Sequence, residues 1–398
     1  MSPRARVIPA AASSIAEAQA AGPRVSLAVL RLAISEFRCY RSAAIETDGA
    51  SVVLTGPNGA GKTNLLEAVS FLAPGRGLRR AGLAEIERHG ASARWAVSAT
   101  VTQPTGPVTI GTGRDPDGDA DNERRVVRVD GQAQRGPVVL GELVALSWLT
   151  PAMDRLFADG SSARRRFVDR LVLGFDPDHA RRVAAFEQAM RERSKLLERG
   201  NADPAWIAAL EETMAGEGVA VAATRKQMVE RLARAVEETE GPFPVPGLAL
   251  TGELAAWLDQ MPALEAEERL AANLAQSRRR DAEAGRASAG PHRDDLGVTF
   301  RAKSQPARLC STGEQKALLV AIVLAHARLV AMERGQPPLL LLDEIAAHLD
   351  AQRRAALFQE IGRLGAQAWM TGTDEMLFAP LNGRARFFRV ADAQVQPR

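Results

Sequence analysis

The stretch that decides the fold reads Gly56-Pro57-Asn58-Gly59-Ala60-Gly61-Lys62-Thr63. It matches the phosphate-binding loop G-x-x-x-x-G-K-[ST] in full, between an apolar run at residues 51–55 and a helical pattern from Lys62 to about Phe71. The glycines let backbone N–H groups face phosphates, and the helix N-terminus adds favourable partial charge. Lys62 can reach the β- and γ-phosphates, and the Thr63 hydroxyl can bind Mg²⁺. The stretch therefore predicts a nucleotide site that uses Mg²⁺.

The second half of such a site follows a later apolar run, residues 339–342, which ends in Asp343 and Glu344. A carboxylate at the end of a buried strand beside the loop can hold the Mg²⁺ shell, which suits Asp343. Glu344 is then placed to polarise a water against the γ-phosphate. Many strands end in acidic turn residues, so this pattern gains its weight from the phosphate-binding loop in the same chain.

A third segment, Ser311-Thr312-Gly313-Glu314-Gln315-Lys316, precedes an apolar helical run at residues 317–330. A serine or threonine at a helix N-cap needs no function. A hydroxyl residue followed by glycine at a helix N-terminus is also an anion site. The pattern leaves two interpretations open: a plain helix cap, or an N-terminus offered to a nucleotide that another protomer holds.

The remaining patterns predict an α/β protein. Residues 27–45 suggest a hairpin, and short Val- and Thr-rich runs between residues 94 and 130 suggest antiparallel strands. Residues 368–371 suggest a further buried strand. The predicted parts are a disordered N-terminal extension (1–25), the N-terminal part of the α/β unit (26–150), an inserted helical lobe (151–285) and the C-terminal part of the α/β unit (286–398).

Composition excludes several classes of protein. The 398 residues include only 2 cysteines, Cys39 and Cys310, which rules out a disulfide scaffold and a four-cysteine zinc ribbon. A net charge of +3 is too small to indicate nucleic-acid binding by itself. No apolar run is expected to span a bilayer, and the Ala-rich N-terminus is a poor secretory signal. Together with the low cysteine count, this predicts a cytoplasmic protein.

The order of these motifs resembles the ABC-type ATPase heads of chromosome-maintenance and recombination proteins, and within that group the RecF family. The resemblance runs from about Leu27 to Val390. Its specific marks are GPNGAGKTNLLEA at residues 56–68, LTPAMDRLF at 149–157, RRRFVDR at 164–170, GPHRDD at 290–295 and STGEQKA at 311–317.

The resemblance implies an ABC-type P-loop ATPase head with an antiparallel β subdomain and an inserted helical lobe. It implies a weak, DNA-stimulated ATPase that uses ATP and Mg²⁺ and dimerises when ATP binds. Lys62 and Glu344 would be catalytic, and Thr63 and Asp343 would hold the metal. The residues implied to contact ATP are Gly56, Pro57, Asn58, Gly59, Ala60, Gly61, Lys62, Thr63, Asn64, Arg38, Ser311, Gly313, Glu314, Gln315 and Asp350.

The resemblance also implies partners and a pathway. Ser311 and Gly313 of one subunit would face the γ-phosphate on Lys62 of the other, with Asp350 at the dimer seam. The family acts with RecO and RecR at gapped or single-stranded DNA and helps RecA to load, in recombinational repair, replication restart and the SOS response. Duplex DNA is a further expected partner, and no membrane is expected.

One position departs from the RecF pattern, and two features common in ABC enzymes are absent or not assigned. Cys39 stands where the pattern usually has an asparagine, in the run Phe37-Arg38-Cys39-Tyr40, and cannot replace an amide hydrogen bond. Asp374 stands where ABC enzymes often have a histidine, which fits the RecF pattern without giving that aspartate a role. No glutamine between the two halves of the site is assigned to Mg²⁺.

Basic residues give the candidate DNA contacts, with a solvated surface as the alternative of equal weight. The chain has 1 tyrosine and 5% aromatic residues, which favours contacts to the DNA backbone over base stacking. His292 and Arg293 suit either a nucleotide or DNA contact or pairing with Asp294 and Asp295. The candidate DNA contacts are Arg76, Arg79, Arg80, Arg164, Arg165 and Arg166.

Two other protein classes share part of the pattern. A transport ATPase subunit has the same loop and Asp-Glu strand, but it usually carries Leu-Ser-Gly-Gly-Gln where this chain has residues 311–315. The long helical insertion also suits a transporter poorly. A nuclease-associated head would carry a long coiled coil, and the chain shows no sustained heptads.

Overall fold

The computed structural model of the chain describes residues 26–116, 124–200, 203–237 and 241–398. The predicted extension at residues 1–25 lies outside the described residues. The strands are β1 (Val29–Phe37), β2 (Tyr40–Glu46), β3 (Ser51–Thr55), β4 (Ala96–Val101), β5 (Val108–Arg114), β6 (Arg125–Val129), β7 (Gln132–Ala133), β8 (Leu146–Leu149), β9 (Pro246–Thr251), β10 (Asp295–Phe300), β11 (Gln305–Pro306), β12 (Leu339–Leu342), β13 (Ala368–Gly372), β14 (Ala385–Ala391) and β15 (Gln394–Pro397). The helices are α1 (Lys62–Ser70), α2 (Leu140–Leu143), α3 (Ser161–Val172), α4 (His179–Arg199), α5 (Pro204–Glu237), α6 (Glu253–Gln260), α7 (Ala263–Gln276), α8 (Arg278–Ala284), α9 (Thr312–Arg334) and α10 (Ala351–Leu364).

The central sheet has the strand order β15-β14-β3-β13-β12-β8, and all its strands except β15 run parallel to their neighbours. Its inner strands are almost wholly apolar and buried, as strands covered on both faces must be. The expected strands β3, β12 and β13 are confirmed. The carboxyl ends of β3 and β12 carry the phosphate-binding loop and the Asp-Glu pair, so one edge of the sheet holds both.

The second sheet is antiparallel, with the order β2-β1-β4-β5-β6-β7. The predicted hairpin is confirmed: Leu32 of β1 pairs with Ile45 of β2. The turn at Asp130-Gly131 joins β6 to β7, and both of its residues have the positive φ that a tight hairpin turn needs. This sheet and α1 share one apolar core with the facing side of the central sheet.

Residues 151–285 do not pack around one core. The helix α3 and the C-terminal half of α5, with Met228 and Leu232, pack with α9 and α10 against the other face of the central sheet. The helices α4, α6 and α7 and the N-terminal half of α5 surround a separate small core. The strand β9 lies within the region expected to be helical and pairs with β10 in a three-stranded antiparallel sheet.

The helix α9 corrects one expectation. It is long and apolar enough to cross a membrane by length and composition, with a mean hydropathy of 1.6 over 18 residues. However, 78% of that window is buried inside the protein. Its apolar surface packs against α5, α10 and β8, as a core helix does. Within the described residues, α9 is the one helix that passes this test.

Candidate nucleotide site

The phosphate-binding loop runs from the end of β3 to the start of α1. Gly56 has φ 152°, and a Cβ there would lie 2.0 Å from the carbonyl oxygen of Val390 on β14. Gly61 has φ 109° at the start of α1. Both positions therefore require glycine. Lys62 is buried, and its Nζ donates to the carbonyl oxygens of Gly56 (2.7 Å) and Pro57 (2.8 Å), which folds its ammonium over the loop.

Two opposing effects act on the pKa of Lys62. Burial lowers its pKa, and the nearby carboxylates of Glu344 and Asp343 oppose that shift. The lysine and the two acidic residues come from loop ends that are about 280 residues apart in the sequence, and the structure brings them together. A phosphate placed here would supply the anionic partner that two backbone carbonyls do not.

Thr63 and Asp343 meet directly. The Thr63 hydroxyl lies 2.9 Å from Oδ1 and 3.1 Å from Oδ2 of Asp343. Thr371, at the end of β13, donates its hydroxyl to Asp343 Oδ1 at 2.7 Å and fixes the carboxylate. One hydroxyl and one carboxylate are hard oxygen ligands, the set that Mg²⁺ takes from protein when phosphates and waters complete its shell. Sequence reasoning missed Thr371, although its place at the end of a predicted strand was a usable signal.

Glu344 sits at the turn after β12. Its backbone is left-handed, with φ 52°, which is uncommon for a residue other than glycine. Its N–H donates to the Thr371 hydroxyl at 2.9 Å, so one threonine positions both acidic residues. Backbone strain of this kind persists where surrounding contacts hold it, and it often marks a functional position.

The segment at residues 311–316 begins α9, as predicted. Ser311 is the N-cap, and it forms a capping box with Glu314: Ser311 Oγ accepts from Glu314 N–H, and Glu314 Oε2 accepts from Ser311 N–H at 2.9 Å. Hydrogen bonds from Lys303 and Ser311 lower the pKa of Glu314 to about 2. Gln315 turns inward and donates to the carbonyl oxygen of Cys310. Ser311, Thr312 and Gly313 remain exposed.

Asp350 caps a second helix. Its carboxylate accepts from the N–H of Arg353 at 2.8 Å, at the start of α10. The side chain is about half exposed. The predicted role of Asp350 at a dimer seam thus coexists with a helix cap that needs no partner.

Arg38 and Asn64 belong to a cluster around a buried carboxylate. Glu67 on α1 is fully buried and forms a two-pronged ion pair with Arg38, at 2.7 and 2.9 Å. Arg79 donates to Glu67 (3.2 Å) and to Asn64 Oδ1 (2.8 Å). The Asn64 amide donates to Cys39 Sγ at 3.2 Å. Sequence reasoning missed Glu67, which reads as an ordinary helix-surface glutamate.

The six candidate arginines do not lie in one set. Arg164 forms a two-pronged ion pair with Asp295, at 2.7 and 2.8 Å. Arg165 donates to the Asp294 carbonyl oxygen and to the Ser161 hydroxyl. Both side chains are therefore tied to the start of β10, and a DNA contact by Arg164 or Arg165 stays a prediction. The structure uses them to hold α3 against β10.

Three of the other four candidate arginines lie near one another. Burial and then the like charges of Arg166 and Arg76 lower the pKa of Arg80, so the three guanidinium groups lie within electrostatic reach of one another. The carboxylates of Glu187 and Asp169 oppose that shift in the pKa of Arg80. Within the described residues, the side chains of Arg76, Arg80 and Arg166 make no hydrogen bond or ion pair. We call these three residues the arginine cluster.

His292 and the acidic residues after it are placed apart from the phosphate-binding loop. His292 Nε2 meets the carbonyl oxygen of Ala287 at 3.0 Å, and its ring stacks on Phe186. Asp294 is fully buried, and burial raises its pKa to about 7. Asp295 pairs with Arg164 and not with Arg293. The contacts of the His292 side chain are therefore those of a residue that stabilises the fold.

His326 is a buried side chain with two hydrogen-bond partners. It lies in α9, fully buried, with the Ser147 hydroxyl 2.8 Å from Nδ1 and the Leu171 carbonyl oxygen 2.9 Å from Nε2. Burial lowers its pKa to about 4, so it stays neutral. Among the described residues, no group of three or more His, Cys, Asp or Glu side chains could hold a metal ion.

Comparison with known proteins decides between the protein classes. The profile described as "RecF/RecN/SMC N terminal domain" matches residues 28–394. A protein of Rhizobium johnstonii named "DNA replication and repair protein RecF" is 52% identical over 374 residues, which cover 94% of this chain and 99% of that protein. The chain belongs to the RecF family. A Rhizobium meliloti protein of the same name is 50% identical over 92% of this chain and 97% of that protein. These relatives favour the RecF interpretation over a transport ATPase.

Solved structures agree on the fold. The recombination mediator RecF bound to ATPrS has a TM-score of 0.80 and 19% identity, covering 94% of this chain and 98% of that chain. The Smc head domain of Pyrococcus furiosus has a TM-score of 0.52 and 15% identity, covering 94% and 96%. The fold is therefore the ABC-type α/β head that the motifs predicted.

Proposed function

We propose that this protein is an ATP-dependent DNA-binding protein of recombinational repair and replication restart. It dimerises on ATP, binds single-stranded, gapped or duplex DNA in the cytoplasm, and helps to load RecA at single-strand gaps with RecO and RecR, including in the SOS response. ATP turnover is weak and is stimulated by DNA. The family membership supports the pathway, and the site supports the ATP-dependent step.

One observation carries the proposal. Thr63 from the phosphate-binding loop and Asp343 from the end of β12 are joined by a direct hydrogen bond, with Lys62 and Glu344 beside them. These four side chains have the types and the order of an ABC-type ATPase site. Two chain segments about 280 residues apart would not converge in this way in a protein with a chance loop match.

The residues present fit Mg²⁺. Thr63 and Asp343 would hold it, and the ion would neutralise charge on the β- and γ-phosphates. Lys62 would exchange its two carbonyl acceptors for phosphate oxygens. Glu344 would hold the attacking water and take up its proton. Thr371 positions Asp343 and Glu344 through its hydroxyl, so it is a positioning residue.

The segment at residues 311–316 supports a nucleotide site that a second protomer completes. Ser311 and Gly313 are exposed at the N-terminus of α9, where a helix favours anions. In the described part of the chain, no hydrogen bond or ion pair joins residues 310–316 to residues 56–64. The site of one chain therefore lacks the donors that α9 of a second chain would supply. The γ-phosphate would bridge the two chains, and its loss would remove half of these contacts.

The arginine cluster supports DNA binding. Three guanidinium groups that form no ion pair in the described part of the chain repel one another, and an anion among them would relieve that repulsion. Phosphate groups of a DNA backbone are the anions that such clusters match. Arg79 already donates to Glu67 and Asn64, so it is the weaker member of the expected contact set.

We expect the double variant Arg80→Glu with Arg166→Glu to bind DNA at least about 10-fold more weakly and to bind ATP normally. Each lost phosphate contact also reduces the slope of log affinity against log salt by about 0.9 on duplex DNA. Fluorescence anisotropy on gapped and duplex DNA at several salt concentrations measures both effects. The matched control is Arg155→Glu with Arg279→Glu, which makes the same charge change at two well-exposed arginines elsewhere. If both double variants lost DNA affinity equally, the loss would come from net charge alone, and the arginine cluster would not be a specific DNA contact.

We expect Lys62→Ala to abolish tight ATP binding without unfolding the protein. Its ammonium bonds only the flexible loop's own carbonyls, so the core does not depend on it. The proposed function is tested by mass measurement in gel filtration with and without ATP and gapped DNA. The native chain should become a dimer with ATP and retain DNA. A Lys62→Ala chain that dimerises equally well, or a native chain that stays monomeric, would contradict the proposal.

A further inference from the structure

The turn between β1 and β2 brings a thiol against the phosphate-binding loop. Cys39 is exposed, whereas Cys310, the other cysteine of the chain, is buried. Cys39 Sγ lies 2.8 Å from the point where a Cβ on Gly61 would stand, so it lies beside the loop just before Lys62. The Asn64 amide donates to the same sulfur at 3.2 Å.

A second, independent feature borders the same space. The Tyr40 hydroxyl lies 2.6 Å from that Cβ point on Gly61, and the Tyr40 side chain is fully buried. Within the described residues, this hydroxyl has no hydrogen-bond partner. Burial and then the neighbouring Cys39 raise its pKa above the ordinary value, so it keeps its proton and remains a donor. A buried donor without an acceptor is rare and costly in free energy.

We propose that Cys39 is a peroxide-oxidation site, whose sulfenic acid oxygen accepts hydrogen bonds from the unpaired Tyr40 hydroxyl and from the Asn64 amide, and that this oxidation weakens ATP binding. The sulfur attacks one peroxide oxygen, the O–O bond breaks, and the leaving hydroxide takes the thiol proton to give water. The sulfur loses two electrons, and hydrogen peroxide gains them. The oxygen bound to sulfur then accepts hydrogen bonds, which a thiol does only weakly.

The consequence for the nucleotide site follows from the position of Cys39 beside Gly61. Cys39 Sγ and the Tyr40 hydroxyl already lie 2.8 and 2.6 Å from the point where a Cβ on Gly61 would stand, so an oxygen added to Sγ on that side would crowd the loop. The loop must shift at Gly61, and this moves the N–H groups and Lys62 from where phosphates would meet them. A thiol reductant reverses the first oxidation step. This consequence rests on the proposed nucleotide site, whereas the oxidation itself does not.

The test uses the full chain carrying Cys310→Ser, so that Cys39 is its one thiol. ATP affinity of the reduced protein is measured first, and its absence would contradict the proposed function alone. The protein is then treated with hydrogen peroxide, trapped with dimedone and analysed by peptide mass. We expect a dimedone adduct on Cys39, a yield at least fivefold lower in Tyr40→Phe, and a tenfold or greater loss of ATP affinity that dithiothreitol restores.

Two control variants make the result decisive. Tyr40→Phe removes only a hydroxyl that bonds nothing, so its thermal unfolding should match that of the parent. Cys39→Asn installs the residue usual in the RecF pattern and should bind ATP equally well before and after peroxide. An adduct yield that Tyr40→Phe leaves unchanged would overturn the role of the hydroxyl. No adduct on Cys39, or an adduct with unchanged ATP affinity, would overturn the proposal.

Discussion

Glu344→Gln protein is expected to bind ATP normally, to hydrolyse it at least about 100-fold more slowly than the native chain, and to accumulate as a dimer. Glutamine keeps the shape of the side chain and loses the oxygen base. The Glu344 backbone, including its bond to Thr371, does not depend on the carboxylate. Steady-state phosphate release and the dimer fraction over time measure the two effects.

Asp343→Asn supplies the contrast to this variant. Asp343 accepts from Thr63 and Thr371, and in the proposed site it holds Mg²⁺. Its loss should therefore weaken Mg²⁺-dependent ATP binding itself, and with it dimer formation. If Glu344→Gln hydrolysed ATP at the native rate, another group would be the base. If both variants behaved alike, the division of roles between the two adjacent acids would be wrong.

Ser311→Arg protein is expected to bind ATP as a monomer and to lose dimerisation and hydrolysis. The arginine places a bulky cation where the partner's phosphate would meet the N-terminus of α9. It also removes a helix cap, which costs about 1 kcal/mol of stability. Ser311→Asp separates these effects, because aspartate is a good N-cap and its negative charge repels a phosphate. Both variants should fail to dimerise in light scattering, and Ser311→Asp should unfold at the native temperature.

Local patterns predicted the parts of the fold that bind phosphate. The strands β3, β12 and β13 are short buried apolar runs, and α1 and α9 begin at signals within a few residues of their N-termini. Such signals depend on near neighbours in the sequence, so they can be read without the fold. The order of the motifs then gave the family.

Other strands carried no readable local signal. The strand β8 has only four residues without alternation, and β9 is a short run of partly exposed residues inside a helical region. Both are fixed by their neighbours, β12 and β10, which are far away in the sequence. Tertiary pairing of this kind overrides propensity.

At the site, the sequence failed mainly to predict which side chains form ion pairs. Glu67 is buried because Arg38 and Arg79 reach it from two separate loops. Arg164 looked like part of a basic run, but Asp295, 131 residues later, neutralises it. Charge runs give the number of cations, whereas only the fold shows which of them already have partners.

The central claim is that the active site is shared between two chains, and subunit mixing tests it most directly. A Lys62→Ala chain and a Ser311→Arg chain, each inactive alone, are combined in equal amounts with ATP. One composite site in the mixed dimer pairs Lys62 of the Ser311→Arg chain with Ser311 of the Lys62→Ala chain. Partial recovery of ATP hydrolysis is the predicted result. No recovery from two folded chains that associate, or a Ser311→Arg chain that dimerises with ATP by itself, would contradict the account.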